Sequence, residues 1–317
     1  MLSLRDFKPI RMEDKPFFDM HYAKYPQVHS DNTFTNMVCW DRYANYRYAH
    51  VNDSIIISST IDGATRFRPP IGPRNKDLMT ELIEFANNVG DEQPIVIIDR
   101  ETAEWVRHDL EPVEMVFDRD QSEYVHLASD LADLPNGMYH SIRRQLNRFK
   151  KNYAYTVEPF SPELCEDARK FLDSWKQTNG DMVLKYEKEA FLFAIDHFTE
   201  LGLSGLIIRV KGEVSAISIF ERLNDNTAVI HFEKGLEDLD GIYRAINMET
   251  AAALTGKFEF INRESDMGIP GLREAKMRYH PHHMVDVYSM KGKGSGMHKC
   301  TCNYLSGSDE ATDKVCL

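Results

Sequence analysis

One order of secondary-structure elements, read twice along the chain, constrains the fold more than any other feature. In the first half, hydrophobic spacing predicts a helix over 10–25 and a second helix capped by Asp31. Strands over 46–51 and 54–60 follow, separated by the turn formers Asn52 and Asp53, a hairpin signal. A short strand over 66–68 is stopped by Pro69-Pro70. A helix ending at Gly90, a buried strand over 94–99, a helix over 101–110 and a strand over 113–117 complete the half.

The second half repeats this order. Ser161 and Pro162 open a helix over 161–177, and another spans 187–201. Strands over 206–211 and 213–222 turn about Gly212, and a third covers 227–234. A helix over 241–254, a strand over 257–262, a helix over 270–279 and a strand over 284–290 follow. The repeat is one of order, not of residues. It predicts an α/β chain with mixed sheets in two tandem units, 1–125 and 126–290, with the stretch from 125 to 160 joining them. The helical crossover over 241–254 predicts that the strands on either side of it run parallel. Open sheets bind ligands at the carboxyl ends of such strands, here His231 to Lys234 and Asn262 to Glu264.

The 317 residues are 42% hydrophobic, enough for a sizeable core. Apolar runs such as Ile55 to Ile57 and Ile95 to Ile98 are far below the roughly 20 residues that span a bilayer. The charged N-terminus does not read as a secretory signal. A net charge of −12 excludes a surface coated for non-specific nucleic-acid binding, so an anionic partner needs a local patch. Five cysteines form no disulfide framework in a chain this long, which predicts a reducing cytoplasm. The Gly- and Ser-rich stretch 291–317 reads as a disordered tail. Its His298, Cys300, Cys302 and Cys316 lack the usual zinc spacing, and no metal is expected.

Three segments carry chemistry. The turn from Asn262 to Lys276 leaves a strand and enters a helix, bringing Arg263, Glu264, Asp266, Arg273 and Lys276 near one another. The helix start near Gly241 is preceded by Glu237, Asp238 and Asp240, which would repel a pyrophosphate and suit an ammonium group. Tyr243 and Asn247 lie one turn apart on that helix. Finally, residues 134–157 contain no acid but hold Arg143, Arg144, Arg148, Lys150 and Lys151 among four aromatics. That pattern suits phosphate backbones and exposed bases.

The segments Ile230 to Lys234, Gly241 to Asn247, Asn262 to Glu264 and Gly268 to Pro281 together resemble the phosphatidylglycerol lysyltransferase C-terminal domain family. Tyr25-Pro26 and Ser30 to Asn36 resemble its opening motif, and the resemblance extends to about Met290. It implies two tandem GNAT-like folds, related to the Fem peptidyltransferases. Membrane-bound members move an aminoacyl group from tRNA to a lipid. The expected function is therefore aminoacyl or acyl transfer. Aminoacyl-tRNA is the expected donor, tRNA the expected partner, and the acceptor is a lipid, peptide or small molecule. No further cofactor is expected, and without a membrane span any membrane contact would be peripheral. On this reading Glu233, Glu264, Asp266 and Lys276 are the catalytic candidates. Tyr243, Asn247, Asn262, Arg263 and Arg273 are the substrate-binding candidates, and the five basic residues from Arg143 to Lys151 hold nucleic acid. A coenzyme A-dependent N-acetyltransferase (using acetyl-CoA) and a non-catalytic binding module on the same fold are the alternatives.

Overall fold

The β-rich runs pair into one continuous sheet. The computed structural model describes residues 1–110, 113–175 and 182–292. Its strands are β1 (Lys8–Pro9), β2 (Arg47–Val51), β3 (Ser54–Ile61), β4 (Ala64–Phe67), β5 (Ile95–Asp99), β6 (Met115–Leu127), β7 (Tyr155–Pro159), β8 (Ser204–Val210), β9 (Glu213–Arg222), β10 (Thr227–Gly235), β11 (Phe260–Ser265) and β12 (His283–Met290). Across the sheet they run β1-β2-β3-β4-β5-β12-β6-β11-β10-β9-β8-β7. The helices are α1 (Lys15–Lys24), α2 (Phe34–Cys39), α3 (Asp41–Ala44), α4 (Lys76–Val89), α5 (Arg100–Asp109), α6 (Ala128–Asp133), α7 (His140–Asn152), α8 (Cys165–Ser174), α9 (Met182–Asp196), α10 (Phe198–Leu201), α11 (Ile242–Leu254) and α12 (Pro270–Met277).

The expected hairpins form for the expected reason. Asn52 and Asp53 both adopt positive φ, 49° and 58°, as do Lys211 and Gly212, 53° and 85°. Left-handed turn residues match the twist of paired strands. The crossover through α11 makes β10 and β11 parallel, with Thr227 opposite Phe260 and Val229 opposite Asn262. In the first half, α4 does the same for β4 and β5, which share the pair Phe67 and Ile95.

The strand expected over 113–117 is longer than its apolar pattern. β6 runs for 13 residues and reaches well past the apolar start. Its first part pairs with β12, as Phe117 opposite Tyr288, and its last part pairs with β11, as Val125 opposite Asn262. The last strand of the sequence, β12, lies between β6 and β5, where Val287 faces Asp99. The second half thus supplies the strand that completes the first half's sheet. The helix expected over 187–201 breaks at His197 into α9 and α10.

Packing joins the halves again. One buried cluster combines Phe18, Phe34, Met37, Tyr48 and Ile57 with Phe171, Phe191, Ile207, Ile217 and Phe232. Phe191 stacks on Phe232 with ring centres 4.9 Å apart. Separate clusters lie on the outer faces, one against α4 and α5 and one against α7 and α11. Among the described residues no helix is long and apolar enough to cross a membrane.

Because β12 is held on both sides and Val287 is fully buried, Val287→Pro is expected to cost about 3 kcal/mol or more, through loss of the amide bond to the Ser122 hydroxyl and the clash of a proline ring in a central strand. The urea midpoint should fall as one transition seen by probes in both halves. Separate transitions, with the second half unaffected, would contradict the shared core.

Candidate active site between two diverging strands

β10 and β11 part after Val229 and Asn262, and a bulge at Ile230 to Phe232 re-aims the tip of β10. Regular alternation would put Ile230 and Phe232 on one face; the bulge sends them into cores on opposite faces. The charged groups of the two tips turn towards each other. Arg263 Nη2 donates to Glu233 Oε1 at 2.9 Å. The Asn247 amide sits between them, within 3.4 Å of Glu233 Oε2 and 3.2 Å of the guanidinium. The Arg263 guanidinium lies over the Tyr279 ring at 5.0 Å, and Arg244 covers that ring at 5.3 Å. Glu233 and Arg263 keep 10% and 15% of their side chains exposed, so the pair is set into the surface without being sealed.

A second contact ties the tips through His231. Its Nε2 lies 2.8 Å from Glu221 Oε1 and its Nδ1 2.9 Å from Glu264 Oε1. Burial alone would lower this imidazole, but hydrogen bonds to the two carboxylates outweigh it and lift the pKa to about 10. His231 is thus a buried imidazolium bridging β9, β10 and β11. The sequence reading had it at a polar tip without a role. The signal was there, as a histidine flanked by Ile230 and Phe232 in an otherwise apolar strand.

The turn after β11 is held from beneath. Glu264 has φ 61°, a left-handed conformation that a non-glycine residue adopts only when its neighbours impose it. Lys276 imposes it, donating to the carbonyls of Arg263, Glu264 and Ser265 at 2.6, 3.2 and 2.5 Å. Burial draws the Lys276 pKa down to about 8, with Glu264 opposing. Asn262 is fully buried; it donates to Glu123 at 2.7 Å and accepts from the Glu264 amide at 2.8 Å.

Asp266 and Arg273 form a neighbouring cluster. Arg273 Nε and Nη2 reach the Asp266 carboxylate at 2.9 and 2.8 Å, Arg119 at 3.2 Å, and the Gly268 amide at 2.9 Å, with Tyr124 donating as well. Burial would raise this carboxyl, but the bonds from Arg273 and Tyr124 bring it to about 2. Arg273 also pairs with Asp120 at 2.6 Å. Every oxygen of Asp266 is engaged, which suits it to holding the turn.

Tyr243 lies beside the Gly235 backbone and the Trp175 indole, near enough to feel the Glu237 and Glu233 charges, and burial raises its phenol. Lys234 covers the same indole at 4.7 Å and pairs with Glu187 at 2.6 Å. The basic residues lie on α7. Arg143 donates to the Leu134 carbonyl, and Arg148 pairs with Asp240 at 3.2 Å. Arg144, Lys150 and Lys151 are exposed. The helix reaches the cleft through Gln145, which accepts from Arg244, whose guanidinium donates to the Tyr279 hydroxyl.

The acidic turn before α11 is exposed at Glu237, Asp238 and Asp240. Two of the amides here are committed, that of Leu239 to Leu236 and that of Ile242 to Leu239. An open cavity of about 660 Å³ lies elsewhere, at the carboxyl end of β5, lined by Val28, Asp99, Arg100, Glu101 and residues 283–286. Arg100 there is paired with Asp286, and Glu101 with Arg74. The parted tips of β10 and β11 carry the denser set of convergent charged groups and form the candidate site. Among the described residues no group of His, Cys, Asp and Glu could hold a metal. The tail thiols lie outside the described residues.

The fold is that of a known class. The chain belongs to the phosphatidylglycerol lysyltransferase C-terminal family, whose pattern it matches over residues 22–291. Its architecture is the tandem GNAT-like α/β fold. A conserved protein of unknown function from Bacteroides thetaiotaomicron VPI-5482 is similar, with 27% identity, a TM-score of 0.81, and coverage of 90% of this chain and 99% of that one. L-PGS from Bacillus licheniformis shares the fold at 14% identity, TM-score 0.61, covering 90% and 93%. FemX shares it at 9% identity, TM-score 0.53, covering 89% and 96%. No functionally curated protein matches the sequence.

The charged state of His231 makes a signed prediction. Its folded pKa lies above the ordinary histidine value of 6.5, so its contribution to stability is full below 6.5 and is lost as pH rises towards about 10. Lys276 is depressed to about 8 and acts in the opposite sense above that value. Between pH 6.5 and 8, urea midpoints should give a stability that falls by up to about 1.4 kcal/mol per pH unit in the native protein. His231→Gln should remove that slope. An unchanged slope in the variant would mean that the imidazole is not the charged bridge.

Proposed function

We propose that the protein is an aminoacyl transferase that takes its acyl group from an aminoacyl-tRNA and passes it to a lipid, peptide or small-molecule acceptor. The observation that carries this reading is the meeting of Glu233 and Arg263 at the parted tips of β10 and β11, in a chain of this family. A tRNA ester is already activated, so the task is to position both partners and stabilise charge. Glu233 accepts the proton of the acceptor nucleophile. Arg263, with N–H groups beyond the one it gives Glu233, stabilises the oxyanion as the nucleophile adds to the ester carbonyl. The ester C–O bond then breaks, and the proton passes from Glu233 to the departing ribose oxygen. Asn247 orients the pair, while Glu264, Lys276, Asn262 and the Asp266–Arg273 pair hold the turn that presents Arg263. The acidic turn from Glu237 to Asp240 and the side of Tyr243 receive the donor's ammonium group.

Arg144, Lys150 and Lys151 on α7 hold tRNA phosphates. The three exposed carboxylates just before α11 weigh against a coenzyme A pyrophosphate at this helix end. The expected setting is a reducing cytoplasm.

Incubation with a pool of radiolabelled aminoacyl-tRNAs and a membrane and metabolite extract should yield labelled product. Glu233→Gln should slow single-turnover transfer by about 100-fold or more with little change in urea midpoint. Transfer from acetyl-CoA with none from tRNA would instead favour an acetyltransferase. Binding without any turnover, unaffected by Glu233→Gln, would favour a binding module.

The same helix gives a separate test. In filter binding, the triple variant Arg144→Glu, Lys150→Glu, Lys151→Glu should flatten the dependence of log K on log salt by about 2–3, at roughly 0.7–0.9 per phosphate contact. An unaltered slope would remove α7 from the nucleic-acid surface.

A further inference from the structure

The first unit has its own parting strands. β4 and β5 run parallel, share the pair Phe67 and Ile95, and then separate. The residue that follows β4 at this point is Arg68, which is 2% exposed. Its amide donates to the Ile57 carbonyl at 2.8 Å, completing the strand edge. The guanidinium is less well served. Nη2 lies 3.7 Å from Asp31 Oδ2, beyond hydrogen-bond reach. Nε and Nη1 are buried and have no hydrogen-bond partner. The Tyr46 ring lies 5.2 Å from the guanidinium carbon. The Tyr22 hydroxyl, close enough to feel the Arg68 charge, is likewise buried and without a partner.

Buried guanidinium groups in folded proteins are ordinarily paired and fully hydrogen-bonded. Here the planar fork has Asp31 for a counter-charge, and at a distance. Each two-pronged edge of the fork uses Nη2 together with Nε or Nη1. Either edge suits two oxygens of one carboxylate or phosphate. Asp31 is one-third exposed whereas Arg68 is buried, so the Asp31 side chain has room to swing away from the guanidinium.

We propose that Arg68, flanked by Tyr22 and Tyr46 and covered by Asp31, is the receptor for the anionic group, carboxylate or phosphate, of a small ligand bound in the first unit. This site lies on a different strand pair from the cleft at Glu233 and Arg263, and it stands whether or not that cleft transfers acyl groups. Asp31 competes with the incoming anion for Nη2 and repels it, so removing the Asp31 charge strengthens binding.

The test is calorimetric titration of the full chain at low salt, with inorganic phosphate in one arm and N-acetylglycine in the other, to separate the two sources of the anion. Saturable binding of at least one is expected. Arg68→Gln should weaken it tenfold or more, and Asp31→Asn should tighten it several-fold. The Asp31→Asn arm decides the matter even where Arg68→Gln fails to fold. Absence of saturable binding to the native protein in both arms, or no effect of Arg68→Gln, would overturn the proposal. So would binding that Asp31→Asn leaves unchanged or weakens, because Arg68 would then be a partner of Asp31 and nothing more.

Discussion

Glu123 is a carboxylate taken out of water at the junction of the two units, and its partners come from both. It is 1% exposed. The Ser30 amide reaches its oxygens at 3.1 and 3.0 Å, the Ser30 hydroxyl donates to it, and His29 Nδ1 lies at 3.4 Å. From the other side Asn262 donates at 2.7 Å. Burial of such an ion costs several kcal/mol, offset only where most of its lone pairs are met by good donors. Burial accordingly raises the Glu123 pKa, with the nearby His29 opposing. Ser30 belongs to the first unit, while Asn262 is the last residue of β11 paired with β10. The point where the strands part is therefore located by the first unit, through one buried carboxylate.

The cleft inherits its shape from that anchor. With Asn262 fixed, its side-chain oxygen holds the Glu264 amide, and the left-handed turn at Glu264 brings the next three carbonyls over the Lys276 ammonium. That turn points Arg263 at Glu233 on one face and Glu264 at His231 on the other. Phe232, between the two tip residues of β10, is locked by stacking on Phe191 in the shared core. Strand β12 then closes the sheet of the first unit with residues from the end of the chain. Two units tied by an exchanged strand, a common core and a buried ion are mechanically one body. A cleft formed at their junction is accordingly held more rigidly than loops alone would hold it.

Much of this was legible in the sequence because local signals and tertiary demands agreed. Asn52-Asp53 and Lys211-Gly212 specify turns that the strand twist wants anyway, and α11 forces the parallel pair. β6 was underread for a physical reason. Its middle, Asp118-Arg119-Asp120-Gln121, looks like a loop because its polar side chains are satisfied by side-chain partners that no local pattern reveals, such as Asp266 for Arg119 and Ser289 for Asp118. The exchange of β12 has the same origin. The β-prone stretch Val285 to Met290 announces a strand, but its partner is chosen by registers on other strands. At the site, the turn from Asn262 to Lys276 was recognisable from its density of charge. The bridge from His231 to Glu221 and Glu264 was not, since residues ten and thirty-three positions away enter it.

Charge arrangement gives the last step. The chain carries a net −12, yet α7 has no acid and lies against the start of α11, where the acids cluster. Gly241 makes that contact feasible: a Cβ there would sit 2.9 Å from Phe149 and 3.0 Å from the Gln145 carbonyl, and its φ of 95° is open to glycine at little cost. The close approach sets a positive helix beside a negative turn, joined by the exposed pair Arg148 and Asp240. That pair contributes little to stability; the two elements are held together by the apolar packing of Ile142, Leu146 and Phe149 on Ile242, Ala245 and Ile246. A ligand carrying phosphates at one end and an ammonium at the other would find both signs presented in the order it needs. A ligand with a pyrophosphate alone would meet the wrong sign at the helix end. The two adjacent fields set opposite charges side by side at the surface, and it is on this arrangement that the proposed donor preference rests.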